Sequence, residues 1–201
     1  MAINLAKGQK ISLKKSNGSD LTSFCIGANW GAIDKKGFFG GTSKQAVDLD
    51  LSVGMFDANK NTVDVIYFGK LETAGVKHSG DDTTGDVDGD DGLDNEVVQI
   101  NLSQIPANVE QLVFVLNSFK GDDFATIPFA SIRLYEGTPD RVNDIVATYN
   151  IASDAQFAGY VSMVLGKLYR RNGEWKFSAL GEPTQDAKLE QTIQTVQNKY
   201  L

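Results

Sequence analysis

Val47-Asp-Leu-Asp-Leu-Ser-Val-Gly-Met-Phe56, followed by Asp57-Ala-Asn-Lys-Asn61 and Val63-Asp-Val-Ile-Tyr-Phe68, is the stretch that sets the fold class. Val47, Leu49 and Leu51 alternate with Asp48, Asp50 and Ser52, the period of a strand with one apolar face. The second run is rich in β-branched and aromatic residues, and the cluster at 57–61 supplies turn formers. The three pieces predict a β-hairpin. Alternation puts Asp48 and Asp50 together on the face opposite the apolar one.

The same signal recurs on both sides. Upstream, Lys10–Leu13 and Phe24–Trp30 are short candidate strands, and Ile33–Ala46, with Gly37, Gly40 and Gly41, is expected to be a mobile loop. Downstream come Val97–Leu102, Gln111–Phe119, Ser131–Tyr135, Ile145–Tyr149, Tyr160–Tyr169 and Glu174–Leu180. Gln111–Phe119 is apolar on both faces, as a central strand is. Arg171-Asn-Gly173 marks a tight hairpin between the last two. About ten strands at short spacing predict an all-β protein, a β-sandwich without βαβ units. One helix is expected after Pro183, where Leu189, Ile193, Val196 and Tyr200 form an amphipathic stripe that needs packing to be stable. The expected organisation is a sandwich over residues 1–182 and a C-terminal helix over 183–201.

Composition narrows the class. Hydrophobic residues make up 41% of 201, enough for a packed core. No apolar run reaches the ~20 residues of a membrane span. Lysines interrupt the first fifteen residues, so no signal peptide is expected there. Cys25 has no second cysteine to pair with and reads as core packing. These features predict a cytoplasmic protein without direct membrane insertion. Adjacent basic residues never exceed two and the net charge is −7, which argues against nucleic acid as a partner.

That charge is not spread evenly. Lys77 to Glu96 holds eight acids and one lysine, so this segment carries the whole net −7. Its centre, Gly80-Asp-Asp-Thr-Thr-Gly-Asp-Val-Asp-Gly-Asp-Asp-Gly-Leu-Asp-Asn-Glu96, interleaves acids with glycines. A solvated acidic loop is one reading. A metal site is the other, because unscreened carboxylates this dense repel one another and glycines let a loop wrap around a point. Oxygen donors without Cys or His select Ca²⁺, Mg²⁺ or Mn²⁺, and ligand richness favours calcium. The EF-hand pattern fails: counted from Asp86, Asp91 stands where a glycine belongs and Val97 where the bidentate acid belongs. Asp48 and Asp50 are either a solvent-facing pair or a second element of the same site. Taken with the loop they bring the candidate carboxylates to ten, enough for two calcium ions.

Three stretches carry a family resemblance. Val47-Asp-Leu-Asp-Leu-Ser52, Lys77-His-Ser-Gly-Asp-Asp-Thr-Thr-Gly-Asp-Val-Asp-Gly-Asp-Asp91 and Leu168-Tyr-Arg-Arg-Asn-Gly-Glu-Trp-Lys-Phe177 resemble the TerD domain family in order and approximate spacing, from Ile3 to about Gly181. The resemblance implies a calcium-binding β-sandwich that serves tellurite resistance and responses to phage, colicins and envelope damage. It also implies assembly with other Ter-system proteins, some membrane-associated, and so a peripheral place at the inner membrane. Carried over onto this chain, it makes Asp48, Asp50, Asp81, Asp82, Asp86, Asp88, Asp90 and Asp91 the expected ligands. Glu96 joins them if it reaches the ion across Gly92–Asn95. The chain departs from the family at Trp30-Gly31, beside which an acidic residue is common.

No catalytic function is expected. Asp48-Leu-Asp50-Leu-Ser52 approximates the motif of haloacid-dehalogenase phosphatases, which would make the chain a Mg²⁺-dependent phosphoester hydrolase. That chemistry needs a parallel sheet with helical crossovers. An extracellular calcium-dependent lectin or adhesion module is the non-enzymatic alternative. His78, the single histidine, adjoins the acidic loop and reads as a capping or supporting group. Arg170 and Arg171 at the hairpin tip read as solvated.

Overall fold

The computed structural model describes residues 2–15, 17–36, 40–150 and 155–201. It is a β-sandwich closed by one helix, as expected, but with fifteen strands among the described residues where the sequence suggests about ten. In chain order these are β1 (Ile3–Asn4), β2 (Lys10–Ser12), β3 (Ser23–Trp30), β4 (Ile33–Lys36), β5 (Thr42–Gln45), β6 (Leu49–Phe56), β7 (Thr62–Ile66), β8 (Glu72–Thr73), β9 (Val76–His78), β10 (Glu96–Asn101), β11 (Gln111–Ser118), β12 (Ala130–Thr138), β13 (Arg141–Asn150), β14 (Ser162–Arg171) and β15 (Glu174–Thr184). Helix α1 spans Leu189–Lys199.

Sheet one runs β1-β13-β12-β3-β10-β9-β8 and sheet two β2-β15-β14-β11-β6-β7. Among the strands of the described residues, only β1 pairs in parallel, with β13. The main core lies between the sheets. Phe24, Ile26, Ala28 and Trp30 of β3 meet Leu49, Leu51, Val53 and Met55 of β6, all buried. This is the period-2 alternation visible in the sequence, realised on two facing strands. Cys25 lies on the other face of β3, buried with Val97 and Tyr135.

The expected mobile loop at Ile33–Ala46 is a correction. Ile33–Lys36 and Thr42–Gln45 pair as a separate two-stranded ribbon, and residues 37–39 lie outside the described residues. Strands this short leave no periodicity to detect. At the Arg171–Glu174 hairpin, Asn172 and Gly173 have φ of 54° and 80°, the two positive values a tight hairpin turn requires. Arg170 is not merely solvated. Its guanidinium sits 4.6 Å from the Trp175 ring centre, and Nε donates to the Val109 carbonyl at 3.1 Å.

The amphipathic helix packs where its stripe demands, on the outer face of sheet two. Ile193 and Val196 are buried with Phe56, Val113, Val115 and Val164, worth roughly 1.5–3 kcal/mol per buried aliphatic side chain. Gly54 belongs to that contact, since a Cβ there would stand 2.9 Å from Ile193 Cδ1. Along β6 the helix-facing positions therefore read Asp50, Ser52, Gly54, Phe56: acidic at one end and apolar at the other.

Candidate metal centre

The acidic segment leaves β9 at His78 in sheet one and re-enters the sheet at Glu96 of β10. Between these points it is fastened to both sheets. Asp86 N–H donates to the Trp30 carbonyl at 2.9 Å and Val47 N–H to the Thr84 carbonyl at 3.1 Å. Trp30, fully buried, donates its indole N–H to the Val47 carbonyl at 2.9 Å. Gly85 explains why a glycine is needed here: φ is +64°, and a Cβ would lie 2.5 Å from the Trp30 ring.

Two groups of carboxylates converge. In the first, Asp48 and Asp50 of the β6 segment meet Asp81 of the loop, with one oxygen of each within 4.8 Å of the others. Asp48 and Asp50 are only 4% and 7% exposed, so the solvent-facing reading of this pair is overturned. Burial, reinforced by the neighbouring Glu96, Asp48 and Asp81 carboxylates, pushes the Asp50 carboxyl up to about 7. Lys120 is a nearby cation, 3.2 Å from Asp48 Oδ2 and half-exposed.

The second group is Asp86, Asp90 and Asp91, again within 4.8 Å, with Asp90 and Asp91 exposed. It sits against Asn29 of β3, whose Nδ2 donates to Asp90 Oδ1 at 3.1 Å. Asn29 Oδ1 and Asp86 Oδ2 are both buried and lack a hydrogen-bond partner among the described residues. Burial raises the Asp86 carboxyl, partly opposed by a hydrogen bond from Asn95. Orphaned buried oxygens beside a carboxylate group are what an oxygen-coordinated cation would relieve. The second group's donor set therefore fits a hard divalent ion, and the first group brings together the same hard carboxylate oxygens.

The other predicted ligands lie outside both groups. Asp82 organises the loop. Its Oδ1 accepts from Thr84 N–H, the Thr84 hydroxyl and Gly85 N–H, and Oδ2 from Asn95. Burial works against the charge, but these bonds outweigh it and hold the carboxyl below its ordinary value. Asp88 is exposed and joins neither group. Glu96 is fully buried and accepts from Leu51 N–H at 2.7 Å and Asp82 N–H at 3.2 Å.

His78 has the supporting role the sequence suggested. Gly80 N–H donates to its Nδ1 at 3.1 Å, so the ring proton sits on Nε2 and is donated to the Leu51 carbonyl at 2.9 Å. Glu96 Oε2 lies 3.4 Å from the same nitrogen.

Several contributors stand outside the expected ligand set. Asn95 accepts from Trp30 N–H at 2.8 Å and donates to both Asp82 and Asp86. Asp94 pairs with Arg133 at 2.7 Å. Burial still raises its carboxyl to about 6 although Arg133 opposes this. Asn29 is a lone amide in an apolar strand. These residues are separated in sequence from what they touch, by 39 residues for Asp94 and Arg133 and by 65 for Asn95 and Trp30.

Comparison with known proteins agrees with this architecture. The TerD domain family matches residues 1–195. The tellurium resistance protein TerZ of Serratia marcescens is 38% identical over 183 residues, covering 89% of each chain. The stress response protein SCP2 of Bacillus subtilis is 37% identical, covering 96% of this chain and 98% of its own. Among solved structures, a homologue of the telluride resistance protein TerD from Streptomyces coelicolor superposes with a TM-score of 0.61 at 14% identity, over 84% of this chain and 92% of that one.

Proposed function

The chain belongs to the TerD domain family of tellurium-resistance and stress-response proteins, and from that premise we infer that it works as a calcium-stabilised interaction module, not as a catalyst. The observation that carries the reading is the burial of Asp48 and Asp50 against Asp81, three carboxylates from two elements with one partly exposed lysine beside them. Asp48, Asp50 and Asp81 would hold one ion; Asp86, Asp90 and Asp91, with Asn29 Oδ1, would hold another. A cation bound at these groups supplies positive charge that cancels the repulsion among the carboxylates.

The protein's own part is to make the groups ready. Glu96 and His78 fix the strand that bears Asp50, while Asn95 and Asp82 fix the loop that bears Asp81 and Asp86. With the carboxylates neutralised, the loop gains a defined surface that partners can read, so assembly follows calcium. The partners would be other proteins of the tellurium-resistance system, including membrane-associated ones. The protein itself would remain cytoplasmic or peripheral to the inner membrane. Among the described residues no helix is long and apolar enough to cross a membrane.

The Asp48-Leu-Asp50 resemblance to a phosphatase motif loses its support, since these residues stand at the start of a strand of an antiparallel sheet that has no helical crossover among the described residues. Thermal unfolding in EDTA, Ca²⁺ or Mg²⁺ tests the reading. Calcium at a thousandfold excess over Kd stabilises the fold by about 4 kcal/mol, and magnesium by much less. A Tm indifferent to calcium contradicts it.

A further inference from the structure

A second site lies on the helix-covered face of sheet two, where α1 stops short of the acidic end of β6. A cavity of about 540 Å³ opens there, a size suited to a small organic ligand. Asp50, Ser52 and Asn117 line its polar side, and Phe68, Phe119 and Ile193 its apolar side. Ser52 and Asn117 are 0% and 5% exposed, yet Ser52 Oγ and Asn117 Oδ1 have no hydrogen-bond partner among the described residues. Buried polar atoms left unpaired are uncommon and call for an explanation.

The orientation of the Asn117 amide follows from its neighbour. Thr192 of α1 donates its hydroxyl to the Lys188 carbonyl at 3.3 Å, so its oxygen accepts from Asn117 Nδ2 at 2.8 Å. Asn117 Oδ1 is therefore an unpaired acceptor. Asp50 supplies two more acceptor oxygens, and the flanking charges, Asp50 and Glu190 against Lys188, sum to negative. The rim is aromatic and unusually open: Phe119 is 65% exposed and Phe68 38%. Tyr67, Phe68 and Phe119 stack edge-to-face, with centroids 5.3 and 6.0 Å apart.

We propose that this cavity binds a small amine, its ammonium group directed to Asp50, Ser52 Oγ and Asn117 Oδ1 and its apolar body held by Phe68, Phe119 and Ile193. Acceptor oxygens and net negative charge select a cationic donor, and aromatic faces favour the same charge. A carboxylate of equal size faces Asp50 and the Asn117 acceptor, with Lys188 and the Ser52 hydroxyl as its only answering groups among these residues. Asp50 also belongs to the first carboxylate group, so a metal ion and an ammonium draw on the same charge; the test is therefore run without calcium.

The test is an NMR titration of the full ¹⁵N-labelled chain in EDTA at pH 8 with phenethylamine, and in parallel with 3-phenylpropionate as its anionic counterpart. Phenethylamine is expected to give saturable shifts confined to residues 50–52, 65–68, 117–119 and 188–193, with affinity at least about tenfold above that of the anion. The exposed-residue variant Phe119→Ala is expected to lose about fivefold in affinity or more while keeping its urea midpoint. Equal affinity for the two compounds, no saturable shift up to about 10 mM, or an unaffected Phe119→Ala variant overturns the proposal. Calcium titration of a separate, EDTA-free sample is read independently, so loss of amine binding leaves the metal reading untouched and the reverse holds too.

Discussion

Glu96 Oε2 accepts the Leu51 N–H at 2.7 Å, a hydrogen bond from the side chain of one sheet to the backbone of the other. β7 pairs with β6 only at positions 53–56, so the strand edge at Leu51 has no neighbouring strand. Glu96 takes its N–H and His78 its C=O at 2.9 Å. The two side chains act as a substitute strand, and they do so beside Asp50, the residue that most needs fixing.

Removing that substitute should be costly. Glu96→Ala leaves the buried Leu51 N–H and the half-buried Asp82 N–H without their acceptor, an expected loss of about 3 kcal/mol in urea unfolding. Glu96→Gln keeps one acceptor and should lose roughly half as much. A loss below about 1 kcal/mol for the alanine variant would mean the edge is satisfied in some other way.

Asp50 gives a pH signature. Its carboxyl titrates near 7 in the fold against 3.8 for an unperturbed carboxyl. Between these values the folded chain keeps a proton that the unfolded chain has released. The metal-free fold thus loses stability as pH rises from about 4 to 7. Asn never ionises and escapes this loss. In EDTA at pH 8, Asp50→Asn should be more stable than the parent by roughly 2 kcal/mol, with the gap closing towards pH 5. Saturating calcium at pH 8 should reverse the order. Chemical denaturation at the two pH values checks it, and a gap independent of pH contradicts it.

How far the sequence could be read depends on distance along the chain. Apolar runs and turn signals mark β3, β6, β11, β14 and β15, and alternation marks the face on which Asp48 and Asp50 lie, because those properties are local. It missed β1, β8 and β9, two or three residues each, whose existence depends on their neighbours. The loop composition pointed to Asp81, Asp86, Asp90 and Asp91. It could not tell these from Asp82, which turns back on its own loop, or from Asp88, which faces solvent. Proximity to the loop alone makes Glu96 a ligand candidate. Its partner Leu51 is 45 residues away, and nothing in either segment announces the other.

The loop's attachment to Trp30 can be probed at Gly85. Gly85→Ala combines a positive φ with a Cβ 2.5 Å from the Trp30 ring, an expected loss of about 2–4 kcal/mol. Gly41→Ala, where nothing lies within 4 Å, should change stability by less than about 0.5 kcal/mol. Differential scanning calorimetry of the pair gives the contrast, and equal midpoints would count against a fixed loop.

The helix should matter to the sandwich. Ending the chain after Thr184 uncovers Phe56, Val113, Val115 and Val164. The shortened protein is expected to bind a hydrophobic dye and to lose roughly 3 kcal/mol or more. Thr192→Val, which strands the Asn117 amide, should cost about 1–2 kcal/mol. A truncated chain as stable as the parent would make the helix an appendage.

Isothermal calorimetry with Ca²⁺ decides whether the two carboxylate groups are metal sites. The account predicts two ions per chain, one lost in Asp50→Asn and the other in Asp90→Asn, each variant keeping its fold. Absence of heat in millimolar calcium, or a stoichiometry unchanged by both substitutions, would contradict it.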